Sequence, residues 1–208
     1  MFALLLLVLI FIDDFDARLS KKERRAVLNA HNHYRRTLAN GKSRSNDGKT
    51  LPKAANMLKM KYSRKIEHVA QKWASKCTGE HSYNPKYGEN IAQFWPYANK
   101  KKVLKESARD WWAELKKFGM NRNLKFTETL DNGNTWHDIG HWSQMAWAKT
   151  LKIGCGVSKC PGKVPWPNSA FVVCNYSPNG NYLNELVYKH GKPCSKCKKC
   201  DKSLCVKK

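Results

Sequence analysis

Four stretches of this 208-residue chain carry apolar residues at helical spacing. The first opens at Ser20-Lys21-Lys22-Glu23, a capping box in which serine and glutamate each satisfy the other's backbone N–H. Val27, Leu28, His31, Tyr34 and Leu38 then share one face, and Asn40-Gly41 ends the pattern after Ala39. Residues 41–52 are polar and read as a mobile loop. Ser63 caps a second helix with Ile66, Val69, Ala70, Trp73, Ala74 and Cys77 facing inward. A third runs from about Lys100 to Phe118, burying Val103, Leu104, Ser107, Ala108, Trp111, Trp112 and Leu115. Asp138 is the expected cap of a fourth, which holds His141 to Ala148. Two β-rich segments, 152–158 and 170–176, follow, joined by a link of turn residues that includes Pro161, Gly162, Pro165 and Pro167. There is no internal repeat.

The two ends depart from this pattern. Met1 to Ile12 is an unbroken apolar run of signal-peptide length, too short to span a bilayer. It lacks a positive n-region, and Asp13, Asp14 and Asp16 follow it, so cleavage is expected near Ala17. No other segment is apolar for long enough to cross a membrane. The expected organisation is a signal peptide (1–17), one folded domain (18–191) and a Lys- and Cys-rich tail (192–208). The tail has too little apolar content to fold alone, so its cysteines must hold it. The expected location is extracellular.

Charge and cysteine usage sharpen that expectation. Lys and Arg number 39 against 16 Asp and Glu, a formal charge of +23. Residues 1–17 hold three Asp and no Lys or Arg, so their removal takes +23 to +26. Charge of that size attracts anionic partners over long range. For a secreted chain these are glycosaminoglycans or anionic membrane surfaces rather than nucleic acid; simple solubility is the alternative. Eight cysteines suit a secreted disulfide framework. Four lie in the body (Cys77, Cys155, Cys160, Cys174) and four crowd the tail (Cys194, Cys197, Cys200, Cys205). The tail spacing also resembles a zinc knuckle. Four ligands in so short a run strain a tetrahedral site, and an oxidising compartment favours disulfides.

Candidate chemistry gathers around two histidines and two glutamates. His81 follows the second helix, Glu89 lies in Gly88-Glu89-Asn90-Ile91, Glu114 sits in the third helix, and His141 opens the fourth. Imidazole with carboxylate suits a borderline divalent ion such as zinc. A first-turn His141 would be kept neutral by the positive helix terminus, as a ligand must be. The competing reading is that each carboxylate pairs with a lysine or a backbone amide and His141 is core. His137 lies four residues before His141 but precedes the expected cap, so it reads as a surface loop residue. Ser143 is conceivable as a nucleophile, yet no nucleophile elbow or oxyanion segment accompanies it. Asn175-Tyr176-Ser177 is a glycosylation sequon, against which Pro178 and the strand setting argue.

These residues also carry a resemblance. Gly140-His141-Trp142-Ser143-Gln144-Met145-Ala146-Trp147, Phe171 to Tyr182 with Cys174-Asn175-Tyr176-Ser177-Pro178, His31-Asn32-His33-Tyr34-Arg35 and Gly88-Glu89-Asn90 stand in the order of four motifs of the CAP superfamily. That superfamily groups cysteine-rich secretory proteins, antigen 5 and plant pathogenesis-related 1 proteins. The chain is most similar to the venom allergen-like, activation-associated secreted proteins of parasitic nematodes. The resemblance implies an α+β fold, a three-layer α-β-α sandwich around a central antiparallel sheet. It implies a cavity tetrad of His81, Glu89, Glu114 and His141, with His81 and His141 as ligands of a divalent metal: zinc first, magnesium or calcium as alternatives, and none obligatory. It implies the pairs Cys77–Cys160 and Cys155–Cys174, and Cys194–Cys200 and Cys197–Cys205 in a hinge-like tail. Tyr87 and Ser177 stand where some relatives place a third core disulfide. The chain stops after the hinge, so the ion-channel-regulating domain of vertebrate venom relatives is not expected.

Three functions follow as expectations. The first is a secreted, non-enzymatic binder of sterol or fatty acid, with Phe94, Trp95 and Tyr97 as lipid contacts and a metal-capable His/Glu cavity, acting as an effector on host responses. The second is a metal-dependent hydrolase that uses the tetrad, with Glu89 or Glu114 as base. The third is a binder of glycans or host proteins through the basic surface, the tail above all.

Overall fold

The computed structural model describes residues 18–130, 132–162 and 168–207. The expected signal segment at 1–17 and most of the link after Gly162 lie outside them. Helix α1 spans Lys21–Ala39 behind the Ser20/Glu23 capping box, α2 spans Arg64–Ala74 with Ser63 as its cap, and α3 spans Lys100–Phe118. The fourth, α4, is shorter than its pattern suggests, Gly140–Ala146. Asp138 is not its cap. Its carboxylate instead accepts from Thr135 N and Oγ1 and closes the preceding turn, and Ile139 stands at the cap position with no side-chain bond. Likewise α2 ends before Cys77, which lies at φ 52° outside the helix.

Among the described residues six strands accompany these helices: β1 Lys61–Tyr62, β2 Gly88–Phe94, β3 Lys152–Cys160, β4 Ser169–Ser177, β5 Cys200–Asp201 and β6 Leu204–Cys205. The main sheet has the order β1-β3-β4-β2. Strands β2, β4 and β3 are antiparallel, as expected, but the short edge strand β1 pairs parallel to β3, so the sheet is mixed. Strand β2 was not visible in the hydrophobic pattern. Phe94 belongs to it rather than to a loop.

The central strand β4 is buried on both faces and sorts its residues by parity. Ala170, Val172, Cys174 and Tyr176 face Val27 of α1, Leu104, Ala108 and Trp111 of α3, and Met145 of α4. Phe171 and Val173 face Ala70 and Ala74 of α2. Helix α2 comes very close to β3. A Cβ on Gly154 would lie 2.2 Å from Glu67 N, and one on Gly156 would lie 2.4 Å from Gln71 Cα. Two glycines at alternate positions therefore set the helix–strand distance. Cys77–Cys160 and Cys155–Cys174 brace this region, the latter across directly opposed residues.

The segment 41–52, expected to be mobile, is built into the fold. Leu51 N donates to Ser43 O, Ser45 N donates to Lys49 O, and Ser43, Ser45 and Leu51 are buried. The tail is docked as well as cross-linked. Cys194–Cys200 and Cys197–Cys205 join it internally, and no free cysteine remains for a zinc knuckle. Leu204 is buried in the core cluster of Leu38, Met57 and Trp147. Cys205 N donates to Met57 O, Lys59 N donates to Cys205 O, and Lys59 pairs with Asp201.

Three residues of α1 lock the layers together. Asn32 exchanges two hydrogen bonds with the Met60 backbone. His31 donates from Nδ1 to Val27 O, which leaves Nε2 to accept from the Tyr176 hydroxyl, both at 2.9 Å. Arg35, fully buried, donates to the carbonyls of Leu58, Met145, Trp147, Ala148 and Thr150 at 2.8–3.3 Å. Those oxygens include orphan acceptors at the end of α4, a helix too short to be stable alone. Burial lowers the Arg35 pKa to about 9, leaving it cationic at neutral pH.

Burial also holds His31 neutral, with its pKa lowered to about 4. Below its ordinary value of 6.5 the unfolded chain takes up a proton that the folded chain refuses until near pH 4. Stability should therefore fall as pH drops through that window, by on the order of 3 kcal/mol in all. Urea unfolding between pH 7 and 5 checks this: the native chain should lose stability across that range, and His31→Gln, though less stable throughout, should respond much less steeply.

Candidate metal-binding cavity

His81 and His141 reach one cavity of about 300 Å³ from different elements. His81 sits on the loop between α2 and β2, and His141 is the second residue of α4. Their rings lie 6.5 Å apart between centroids and 25° from parallel. Glu89 also lines the cavity, with Tyr83, Tyr87 and Asn181. Glu114 does not. It stands behind His141.

Each imidazole is held at Nδ1 by a carboxylate. Glu89 Oε1 is 3.0 Å from His81 Nδ1, and Glu114 Oε1 is 2.6 Å from His141 Nδ1. The remaining oxygens are engaged too. Ser82 donates to Glu89 from its amide and its hydroxyl, and Asn175 Nδ2 donates at 3.1 Å across the β2–β4 register. Trp142 N donates to Glu114 Oε2 at 2.8 Å, joining the carboxylate to the first turn of α4. Burial works to raise the Glu89 pKa, but the bonds from His81, Ser82 and Asn175 together outweigh it and lower the pKa below the usual carboxylate value. The Trp111 ring stacks on His141 at 5.9 Å, and Asn90 Nδ2 donates to His141 O.

Among the described residues neither Nε2 atom accepts or donates a hydrogen bond. The arrangement is that of metal-ligating histidines, in which a carboxylate on one ring nitrogen fixes the tautomer and turns the other nitrogen outward. Only two imidazoles are presented this way. Within the described residues no third His, Cys or carboxylate atom joins them at coordination distance, and the one close cluster, Cys194, Cys197 and Cys205, is disulfide-bonded.

Other sequence candidates take different parts. His137 is exposed, stacks on Trp136 and lines the cavity rim. Ser143 is buried and donates to Gly140 O and Asn181 Oδ1, with no bond to a histidine, so it has no base. Asn175 is buried in the sheet and bonded to Glu89 and Gly88, which fits a structural asparagine rather than a glycan acceptor. Trp95 is 60% exposed, while Phe94 and Tyr97 lean on the core. Ser82, Asn175 and Trp111 are site residues that spacing did not reveal. Ser82 adjoins His81 in sequence, but Asn175 meets Glu89 only through strand register.

Residues 28–176 match the cysteine-rich secretory protein (CAP) family. The chain belongs to that family. Ancylostoma secreted protein of Ancylostoma caninum is 38% identical over 178 residues, 84% of this chain and 40% of that protein. The chain thus spans well under half of that relative's length. Venom allergen 5 of Vespula pensylvanica is 35% identical over 176 residues, covering 82% of this chain and 81% of that one. The crystal structure of NaASP2 with Zn2+ superposes with a TM-score of 0.81 at 35% identity, over 90% of this chain and 96% of that one. BmVAL-1 gives 0.82 at 33% identity, over 92% and 97%. None of these relatives bears the name of an enzyme, and no helix among the described residues is long and apolar enough to cross a membrane.

The carboxylates carry stability as well as orientation. Glu114→Ala leaves the His141 Nδ1 and Trp142 N–H donors without their acceptor in a largely buried setting, and should cost about 2 kcal/mol or more in urea unfolding. Ser143→Ala should cost less, since its partners Gly140 O and Asn181 keep a bond to each other.

Proposed function

We propose that this chain is an extracellular, non-enzymatic binding protein whose cavity holds a divalent ion between His81 and His141. One observation carries the reading: both histidines have Nδ1 tied to a carboxylate and Nε2 left for the cavity. Nitrogen donors favour zinc over magnesium or calcium, which seek oxygen. Held between His81 and His141, the ion would supply Lewis acidity and positive charge to the cavity. Two protein ligands are fewer than the three usual at catalytic zinc. Glu89 and Glu114 already hold the imidazoles and accept further hydrogen bonds, so neither is free to act as a base. Both facts favour binding over hydrolysis. The described zinc complex of NaASP2, a relative at 35% identity, agrees with this choice of ion.

The loop after β2 supports a second ligand, an apolar one. Trp95 stands 60% exposed beside the half-buried Phe94 and Tyr97. A large exposed indole next to anchored aromatics suits contact with a sterol or fatty acid. Secretion accords with the four disulfides and with relatives named as secreted proteins.

Calorimetric titration of zinc into the apo protein tests the first reading. His81→Ala and His141→Ala should each abolish binding, and Glu114→Gln should weaken it about 10- to 100-fold. Equal affinity in all three variants would move the site elsewhere. For the lipid reading, Trp95→Ala should weaken binding of cholesterol or palmitate about tenfold or more while zinc binding stays unchanged. Unaltered lipid affinity removes the loop from that role.

A further inference from the structure

The charge of this chain has a shape. Helix α2 presents Arg64, His68 and Lys72 at intervals of four residues, so they form one row with steps of about 6 Å. All three are exposed. Lys76 continues the row past the helix end, its ammonium 4.5 Å over the ring of the half-buried Trp73. The row lines a trough. One concavity of about 510 Å³ runs between α2 and the start of α1, bounded by Arg18, Arg24, Arg64, His68 and Lys72. A second, of about 370 Å³, shares His68 and Lys72 and adds Trp73 and Lys76. The two lie on either side of that shared wall, a double channel along the outer face of α2 with the cations between its halves.

Among the described residues the channel lining holds a single acid. The acid in its wall is Glu67, which is buried and bonded at both oxygens to Arg24 at 2.6 and 2.7 Å. Among the described residues Arg64, Lys72 and Lys76 pair with no carboxylate. Its position is rigid, because Gly154 and Gly156 seat α2 directly on β3. The tail differs. Its lysines stand on a small hairpin, and Asp201 among them is paired with Lys59.

We infer that this channel is a docking site for a linear sulfated polysaccharide, which follows the Arg64–His68–Lys72–Lys76 row with a sugar ring against Trp73. A row of evenly spaced cations matches a repeating anion along a chain. An indole in the wall gives sugar rings an apolar face, which bare phosphate or sulfate would not use. The site is separate from the metal cavity and from the Trp95 loop, so its success or failure does not depend on theirs.

The test uses heparin and two full-chain variants, each with three positive charges removed: R64A/K72A/K76A in the channel and K198A/K199A/K202A in the tail. Circular dichroism first checks that both fold. Affinity for a heparin octasaccharide at physiological salt should fall tenfold or more in the channel variant and stay within about twofold in the tail variant. Amide exchange with the octasaccharide bound should slow at residues 64–76. Equal losses in the two variants would mean nonspecific attraction and overturn the proposal. So would a tail-only loss, or native protein that fails to bind heparin. If vesicles with 30% phosphatidylglycerol bind the native chain and lose binding in the channel variant while heparin does not, the partner is a membrane and the proposal also falls.

Discussion

A guanidinium ringed by carbonyl oxygens holds this protein together. Arg35 is buried, and its five donors meet five backbone acceptors from two distant stretches of chain. A cation in the interior is tolerable only when its charge is answered, and here aligned peptide dipoles give the answer instead of a carboxylate. The same bonds satisfy carbonyls at the end of α4 and in the turn leading to β3. They therefore fix where α4 stops, where the chain enters the sheet, and how α1 lies across both. A lysine could not do this, because one ammonium cannot span the fan of acceptors. His31 and Asn32, one turn earlier, extend the lock to Tyr176 and Met60. The His31-Asn32 and Arg35 pattern is thus a device of backbone satisfaction, separate from the cavity.

The cavity follows from that frame. Acidic residues are scarce in so basic a chain, yet two of them are spent on holding imidazoles. Each carboxylate is itself held by backbone and side-chain donors, so ring orientation is fixed from behind. Trp111 links the two regions, with its ring near His31 on one side and stacked toward His141 on the other. Packing in the core and geometry at the cavity are in this way set by the same side chains.

Much of this was legible in the sequence. The capping box and the apolar spacing placed three helices closely, and the motifs singled out His81, Glu89, Glu114 and His141, of which all but Glu114 line one cavity. Strand β2 escaped because its buried face carries a polar residue, Asn90, and Ile91 stands between Glu89 and Gln93 on the other, which blurs the alternation that marks a half-buried strand. Asp138 looked like a helix cap because caps and turns use the same residue types, and Thr135 won its carboxylate. The docking of the tail escaped because one leucine, Leu204, supplies its apolar anchor, and no local pattern reveals where a single side chain docks. The separation of roles within the tetrad, with Glu89 at the cavity wall and Glu114 behind a ring, depends on strand register and helix packing that spacing does not encode.

The two imidazoles come from distant parts of the chain, the loop after α2 and the start of α4. His81 is positioned by the loop that Cys77 ties to the end of β3, and His141 by a short helix that Arg35 secures to α1. No fragment holds both in place. An ion of the proposed kind, shared between them, would gain nothing from a partly folded chain and would add its binding energy to the finished one. In the proposed ion-bound form, occupancy of the cavity would report that both halves of the molecule have closed on each other.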